Sequence, residues 1–110
     1  MIEESILIIG KCYFRLMYHD KDLLVPDICT LIYIGKNLYT ESEKYIKDYW
    51  FFQDPKSYSK YGPANKEPVR TECEVHRFDA ENLFSIYDWD GLIKELSENK
   101  EAQDKGEIFN

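Results

Sequence analysis

The chain has 110 residues and a mass of 13.2 kDa, which is enough for one small domain with a single hydrophobic core. Its 21 Asp and Glu residues outnumber its 14 Lys and Arg residues, and the formal net charge is −7. Proteins that hold nucleic acid phosphates need a basic patch, so this charge balance argues against nucleic acid as a partner. With four Pro and five Gly residues, the composition is also unlike that of collagen or low-complexity chains. We therefore expect one domain over residues 1–110.

The beginning of the chain is unlike a targeting signal. Glu3 and Glu4 precede a short apolar run at residues 6–9, whereas a secretory signal has a basic start and a longer apolar region. No segment approaches the roughly 20 apolar residues of a membrane span. These features predict a cytoplasmic protein that does not associate with a membrane.

The first strands are predicted from β-favouring and apolar runs. Residues 11–19 are rich in aromatic side chains and predict a strand. Residues 28–34 are nearly continuous in apolar character, which predicts a central strand covered on both faces, with a bend at residues 35–37. Because alternate residues of a strand share a face, one set in the first strand is expected to face the core. That set is Cys12, Phe14, Leu16 and Tyr18.

The middle of the chain predicts two further strands and a short helix. We predict strands over residues 48–53 and 72–78. The strand over residues 48–53 is expected to lie antiparallel to the central strand. Asp54 followed by proline predicts the start of a helix over residues 55–61, and Gly62 suits its end. Residues 62–71 predict a loop. Residues 40–47 fit either one helical turn or a polar loop.

The end of the chain predicts two helices. Asp79 is a suitable N-cap for a helix over residues 80–87, and Asp88 or Asp90 can cap a second one. From residue 98 the chain is polar all round, which predicts a mobile tail over residues 98–110. An apolar stripe at helical spacing, which we expect to pack against the core, consists of Trp89, Leu92, Ile93 and Leu96.

Strands followed by helices predict an α+β fold. We expect an antiparallel sheet of about four strands with the C-terminal helices packed on one face. The segment over residues 54–71 is a candidate cover for the other face.

The three cysteines are odd in number and widely spaced, which is unlike a disulfide framework. Cys12 and Cys29 fall in strand interiors, so we expect them to be buried and, since burial raises the pKa of a thiol, unreactive. Cys73 and His76 are the closest pair of soft metal ligands, but a separation of three along a strand places them on opposite faces. We therefore predict no metal site and no cofactor.

No motif in the chain specifies a reaction. The single glycine at residues 35–37 is not a phosphate-binding loop. Asp88 and Asp90 have a structural explanation as helix caps, and Glu72 and Glu74 as a solvated strand face, so neither pair indicates acid–base catalysis. We predict that the protein is not an enzyme.

Negative charge is concentrated near the end of the chain. Residues 79–110 carry nine acidic side chains against three lysines, whereas residues 1–78 carry twelve acidic and eleven basic ones. Such a segment either serves solubility or attracts a basic partner. Tyr and Trp are enriched at interface hot spots, and two tyrosines in a polar turn are candidates for exposure. The predicted partner-binding residues are Asp79, Glu81, Asp88, Asp90, Glu95, Glu98, Tyr58 and Tyr61.

Two stretches carry a resemblance to a known class of proteins. They are Tyr-Trp-Phe-Phe-Gln-Asp at residues 49–54 and Ile-Tyr-Asp-Trp-Asp-Gly-Leu-Ile at residues 86–93. Together with the small size and the acidic segment over residues 79–107, they resemble bacterial immunity proteins of polymorphic toxin and contact-dependent growth inhibition systems. The resemblance implies a tight complex with a cognate toxin, often a basic nuclease. It implies no particular fold, because immunity proteins have many unrelated folds.

Two other functions stay open from the residues alone. A small-molecule-binding domain or small enzyme would use a pocket between sheet and helices, lined by Tyr13, Arg15, His19 or His76. An accessory interaction subunit would pair with its partner through an exposed edge strand. A deep pocket would favour the first function, and an uncovered, uncharged edge the second.

Overall fold

A computed structural model describes residues 6–21, 25–39, 47–66 and 69–104. Most of the segment whose structure the sequence left open, residues 40–46, lies outside this range, as do residues 105–110. In chain order the elements are β1 (Cys12–Tyr18), β2 (Pro26–Lys36), β3 (Trp50–Gln53), α1 (Pro55–Tyr61), β4 (Val75–Phe78), a 3-10 helix (Asn82–Ser85), β5 (Ile86–Tyr87) and α2 (Trp89–Asp104).

The strands form one antiparallel sheet in the order β4-β3-β2-β1-β5. The α+β class, the antiparallel sheet and the central position of β2 are confirmed. Within the described ranges the sheet has five strands, where about four were expected. The additional strand, β5, has only two residues and lies where the sequence predicted the end of a helix.

The bend predicted after the central strand is confirmed. The register of β2 against β3 shifts between Tyr33 and Gly35. Gly35 has φ +142°, and a Cβ at this position would lie 2.5 Å from a methyl carbon of Leu38. Only glycine therefore fits here without displacing the chain.

The sheet curls strongly around its inner face, which we define as the side that carries Tyr13 and Phe52. The Arg15 guanidinium of β1 lies 5.7 Å from the centroid of the Phe78 ring of β4, although β2 and β3 separate these two strands within the sheet. Such an approach requires the sheet to fold toward itself. The buried residues of the inner core are Tyr13, Leu31, Tyr33, Trp50, Phe52, Phe78, Leu83 and Ile86.

The outer face, which carries Phe14 and Phe51, is covered by two separate segments. Phe51 packs with Ala64 from the loop after α1, so the region 54–71 covers part of this outer face. The expectation that this region covers the face opposite the C-terminal helices is wrong, because α2 packs on the same outer face. Phe14 and Leu16 pack with Leu92 of α2. Of the two C-terminal helices that were expected on one face, α2 packs there. The other is a 3-10 helix whose Leu83 belongs to the inner core.

Because both faces are covered, the predicted core face of β1 is only partly correct. Phe14 and Leu16 are buried as expected, and Tyr18 is half-buried. Tyr13, assigned to the opposite face, is also buried, whereas Cys12 is exposed. Cys29 is exposed as well, so the expectation of buried cysteines is wrong for both.

Two of the cysteines lie where a neighbouring strand has ended or has not yet begun. β3 ends opposite Ile32, so Cys29 lies on the half of β2 that β3 does not flank. Cys73 is half-buried and precedes β4, which begins at Val75 rather than at residue 72. The strand argument that separated Cys73 from His76 therefore does not apply.

The helix α1 forms as its local sequence predicts. The Asp54 carboxylate accepts hydrogen bonds from the backbone N–H groups of Lys56 at 3.0 Å and Ser57 at 3.2 Å. The helix ends at Gly62, which has φ +78° and whose N–H donates to the Tyr58 carbonyl at 2.8 Å. Each of these capping hydrogen bonds joins residues at most four positions apart, which explains why the sequence was enough to predict both ends of the helix.

The helix α2 begins as predicted and ends later. Asp88 caps it, since its Oδ1 accepts from the Gly91 N–H at 2.7 Å. The helix continues to Asp104, so residues 98–104 are helical and not the start of a tail. An ion pair of 2.7 Å between Lys100 and Asp104 supports the last turn.

The apolar stripe of α2 is narrower than expected. Leu92 is buried and Leu96 is half-buried, but Trp89 and Ile93 are 62% and 57% exposed. The expected burial of Trp89 is therefore wrong. Among the elements that the structure describes, α2 contacts chiefly β1 and β5, and one end of a sheet covers only a thin strip of a helix.

Gln53 at the end of β3 fixes the loop after α1 to the sheet. Its side chain is completely buried. Its Nε2 donates to the Ser57 hydroxyl and to the Gly62 carbonyl, each at 3.1 Å, and its Oε1 accepts from the Ala64 N–H at 2.8 Å. One amide thus binds one group of α1 and two groups of the loop, which is typical of buried polar side chains.

Replacing Gln53 by leucine should leave those groups without partners in a buried place. We expect Gln53→Leu to lower the free energy of unfolding by about 2–4 kcal/mol, measured by urea denaturation, with lost hydrogen-exchange protection at Ala64. Ser59→Ala, an exposed change on α1, is the control and should be nearly neutral. Unchanged stability in Gln53→Leu would show that the amide does not anchor the loop.

Candidate functional site

A surface groove of about 500 Å³ lies between the segment preceding β1 and the start of α2. We call it the Trp89 groove. Its apolar lining includes Ile6, Ile8 and Trp89, and its acidic lining consists of Asp88 and Asp90. Neither isoleucine was singled out from the sequence, and Trp89 was assigned to the core.

Hydrogen bonds hold the isoleucine side of the groove in place. The Tyr13 hydroxyl accepts from the Ile8 N–H at 2.8 Å and donates to the Ile6 carbonyl at 3.1 Å. The Gly10 N–H donates to the Tyr33 carbonyl at 2.8 Å. The segment is thereby fixed to the sheet while Ile6 and Ile8 stay 45% and 57% exposed.

Trp89 forms the opposite wall. It contacts the sheet through Phe14, with ring centroids 4.6 Å apart at an interplanar angle of 68°. This edge contact orients the indole but leaves most of it in solvent. Exposed aromatic and aliphatic side chains that adjoin one another are typical of interaction sites.

The rim of the groove has two carboxylates and one ammonium group. Asp90 is exposed in the first turn of α2, and one carboxylate oxygen of Asp88 is engaged by the helix. Lys11 is the single basic side chain that lines the groove within the described part of the chain. The rim is therefore suited to a partner that presents an apolar surface bordered by basic groups.

The predicted acidic residues do not form one surface. Asp79 and Glu81 lead into the 3-10 helix, which covers the inner face. Asp88 and Asp90 lead into α2, which covers the outer face. The sheet therefore separates the two groups, although they are close in sequence.

Asp79 is engaged in bonds within the fold. Its carboxylate accepts from the Asn82 N–H at 3.0 Å and from the Lys47 ammonium at 3.1 Å. The hydrogen bond from the Asn82 backbone, followed by that from Lys47, lowers the pKa of Asp79. We therefore assign a structural role to Asp79. Glu81, two residues further along the chain, is exposed.

The remaining predicted residues lie along the two helices. Glu98 is exposed on α2. Glu95 is half-buried on α2, and its charge adds to the effect of burial in raising the pKa of Tyr18 and Tyr87. On α1, Tyr58 and Tyr61 are half-buried rather than exposed. Tyr58 packs against the outer-face core, and the Tyr61 ring lies beneath the charged groups of Lys60 and Arg70.

Within the described ranges, no three or more His, Cys, Asp or Glu side chains are arranged to hold a metal ion. Cys29 is exposed as a residue, but partial desolvation of its thiol raises the thiol pKa, against the opposing effect of Arg15 and with a smaller contribution from nearby carboxylates. A raised pKa keeps the thiol protonated and weakly nucleophilic. None of the helices described is long and apolar enough to span a bilayer.

Comparison with protein-family models, curated proteins and solved structures finds no match for this chain.

The bonds of Asp79 predict a pH-dependent contribution to stability. A carboxyl whose pKa is lowered on folding stabilises the fold above its unfolded pKa, and this contribution disappears as pH falls through the folded pKa. Asp79→Asn should therefore be less stable than the wild type at neutral pH, with the difference vanishing in acid. Denaturant unfolding over that pH range measures it.

Glu81→Gln is the matched control, since it removes the same charge from an exposed neighbour. It should leave the pH dependence of unfolding unchanged. An Asp79→Asn protein that follows the wild-type curve at every pH would contradict the assignment.

Proposed function

We propose that this chain is an immunity protein that binds and neutralises a cognate toxin through the Trp89 groove. The observation that carries the proposal is the 62% exposure of Trp89 beside two exposed isoleucines and between two carboxylates. Tryptophan is the side chain most typical of binding hot spots. The net charge of −7 suits a basic partner, because opposite charge accelerates association.

The proposed mechanism is steric and electrostatic. An apolar side chain of the toxin enters the groove and packs on Trp89. Lys or Arg side chains around it pair with Asp88 and Asp90, and those further along pair with Glu95 and Glu98 on α2. Where the toxin is a nuclease, its Lys and Arg side chains in this contact are the groups that would otherwise hold substrate phosphates. The protein acts in the cytoplasm and catalyses no reaction of its own.

The centre of the proposed binding surface differs from the one that the sequence predicted. Asp79 and Glu81 lie on the other side of the sheet, so they contribute through long-range attraction only. Tyr58 and Tyr61 are replaced by Trp89 as the aromatic anchor.

The test uses the protein encoded by the neighbouring upstream gene as the candidate toxin. Trp89→Ala should weaken its binding by at least about 30-fold, the change expected of a hot spot. Asp90→Asn should slow association several-fold, most strongly at low salt, because it removes a rim charge. Surface plasmon resonance measures both, and rescue of growth in cells that express the toxin tests neutralisation.

Glu81→Gln is the matched control for Asp90→Asn, since it removes an equal charge from the opposite face. It should affect the association rate less than Asp90→Asn does. Equal effects of the two variants would show that net charge, rather than the groove, attracts the partner. A Trp89→Ala protein that binds as tightly as the wild type would exclude the groove as the docking surface.

One observation favours a second candidate, an accessory subunit that pairs by strand addition. β3 ends opposite Ile32, so within the described residues the first half of β2 has a strand partner on its β1 side only. Asp27 is the one charged residue in residues 26–31, and Ile28 is 44% exposed. Partner binding that is lost in Ile28→Lys and retained in Trp89→Ala would favour this function.

A further inference from the structure

A second groove, of about 450 Å³, opens on the inner face between β1 and β4. We call it the Arg15 groove. Its polar lining includes Arg15, His76, Asn82 and Ser85, and Phe78 forms part of its apolar wall. The sequence named Arg15 and His76 as pocket residues, and the curl of the sheet brings them to one site.

The position of Arg15 follows from the alternation of β1. Tyr13 and Arg15 point to the same face, and Tyr13 belongs to the inner core. Arg15 therefore lies where that core opens to solvent, and its guanidinium rests against the Phe78 ring at 5.7 Å from the centroid. A guanidinium stacked in this way keeps its N–H edge available for a ligand.

The Arg15 side chain is incompletely paired. Its Nε is buried and has no hydrogen-bond partner in the part of the chain that the structure describes. An unsatisfied buried donor costs free energy, and a bound acceptor would recover it. Arg15 forms no ion pair with any residue that the structure describes.

The charge around the groove is unusual for this chain. Acidic side chains outnumber basic ones overall, yet among the described residues no Asp or Glu lines the groove. Carboxylates lie near the groove without lining it: an Oε1 of Glu74 is 3.7 Å from Nε2 of His76, and Asp27 acts on Cys29, which pairs with Arg15. Because the net charge of the molecule is −7, its long-range field repels anions. An anion that binds in this groove must therefore be held by short-range contacts with its basic lining.

We propose that the Arg15 groove binds a small organic anion through a carboxylate or phosphate group. The guanidinium fork of Arg15 binds two oxygens of that group, since its planar geometry matches both oxyanions. Asn82 supplies a further donor, and the apolar part of the ligand packs near Phe78. The volume of the groove is in the range of small-molecule sites. This site lies on the opposite face from α2 and is independent of the proposed toxin binding.

The test is a titration of the full chain followed by ¹H–¹⁵N NMR, with inorganic phosphate and sodium acetate as separate probes at constant ionic strength. We expect a saturable shift of the Arg15 Nε–H signal and of the backbone amides of Phe78 and Asn82. A shift with phosphate alone identifies a phosphoryl ligand, and one with acetate alone identifies a carboxylate ligand. Absence of a saturable shift with either probe would overturn the proposal.

Variants then distinguish a site from general attraction of anions. Arg15→Gln should weaken binding of the responding anion by about tenfold or more, monitored at the Phe78 and Asn82 amides. Arg15→Lys should be intermediate, because it keeps the charge and loses the fork. Arg70→Gln removes an equal charge from beside Tyr61 and should leave binding unchanged.

Two outcomes of the variant series bear on the proposal directly. Equal weakening in Arg15→Gln and Arg70→Gln would reduce the effect to bulk charge and overturn it. Should Arg15→Gln fail to fold, Asn82→Ala provides the second test, since it removes a groove donor without disturbing β1. Asn82→Ala is expected to weaken binding several-fold, and unchanged binding there would count against the site.

Discussion

The curl of the sheet around a cluster of aromatic rings is the constraint on which the rest of the molecule depends. Tyr13, Tyr33, Phe52 and Phe78 come from four different strands, and their ring centroids lie 5.3–6.5 Å apart in successive contacts. Edge-to-face and tilted pairs of this kind stabilise by about 0.5–1.5 kcal/mol each beyond the area they bury. Because the rings meet in one place, the outer strands must bend toward each other.

Both grooves follow from that curl. On the inner face, it brings β4 across the core toward β1 and places the guanidinium of Arg15 on Phe78. On the outer face, α2 packs chiefly along β1 and β5, at one end of the sheet. The helix can bury Leu92 there but not Trp89, whose indole consequently stays at the surface. The hydroxyl of Tyr13, a member of the aromatic cluster, also holds Ile6 and Ile8 beside that indole.

The same architecture divides the acidic segment. Within a few residues the chain passes from the 3-10 helix on the inner face, through β5, to α2 on the outer face. Carboxylates that adjoin in sequence therefore point to different sides, and some of them, such as Asp79 and Asp88, are engaged in helix starts. A count of charges along the chain thus describes the electrostatic field at long range, where the separation of groups matters little. It does not describe a contact surface.

Residue types along the chain were enough to predict the features whose hydrogen bonds close within about four residues. The cap at Asp54, the stop at Gly62 and the cap at Asp88 depend on backbone groups of the same turn, so the residue types suffice to locate them. The apolar run of β2 likewise predicted burial on both faces, which is observed for residues 31–34 but not for Ile28 and Cys29. Which segments supply that burial depends instead on contacts between distant parts of the chain. The exposure of Trp89 and Cys12, the pairing of β5 and the meeting of Arg15 with Phe78 all depend on neighbours distant in the chain. An apolar periodic pattern predicts which side chains can be buried on one face. Their burial also requires another element that covers them, and the curl of the sheet determines how far that cover extends.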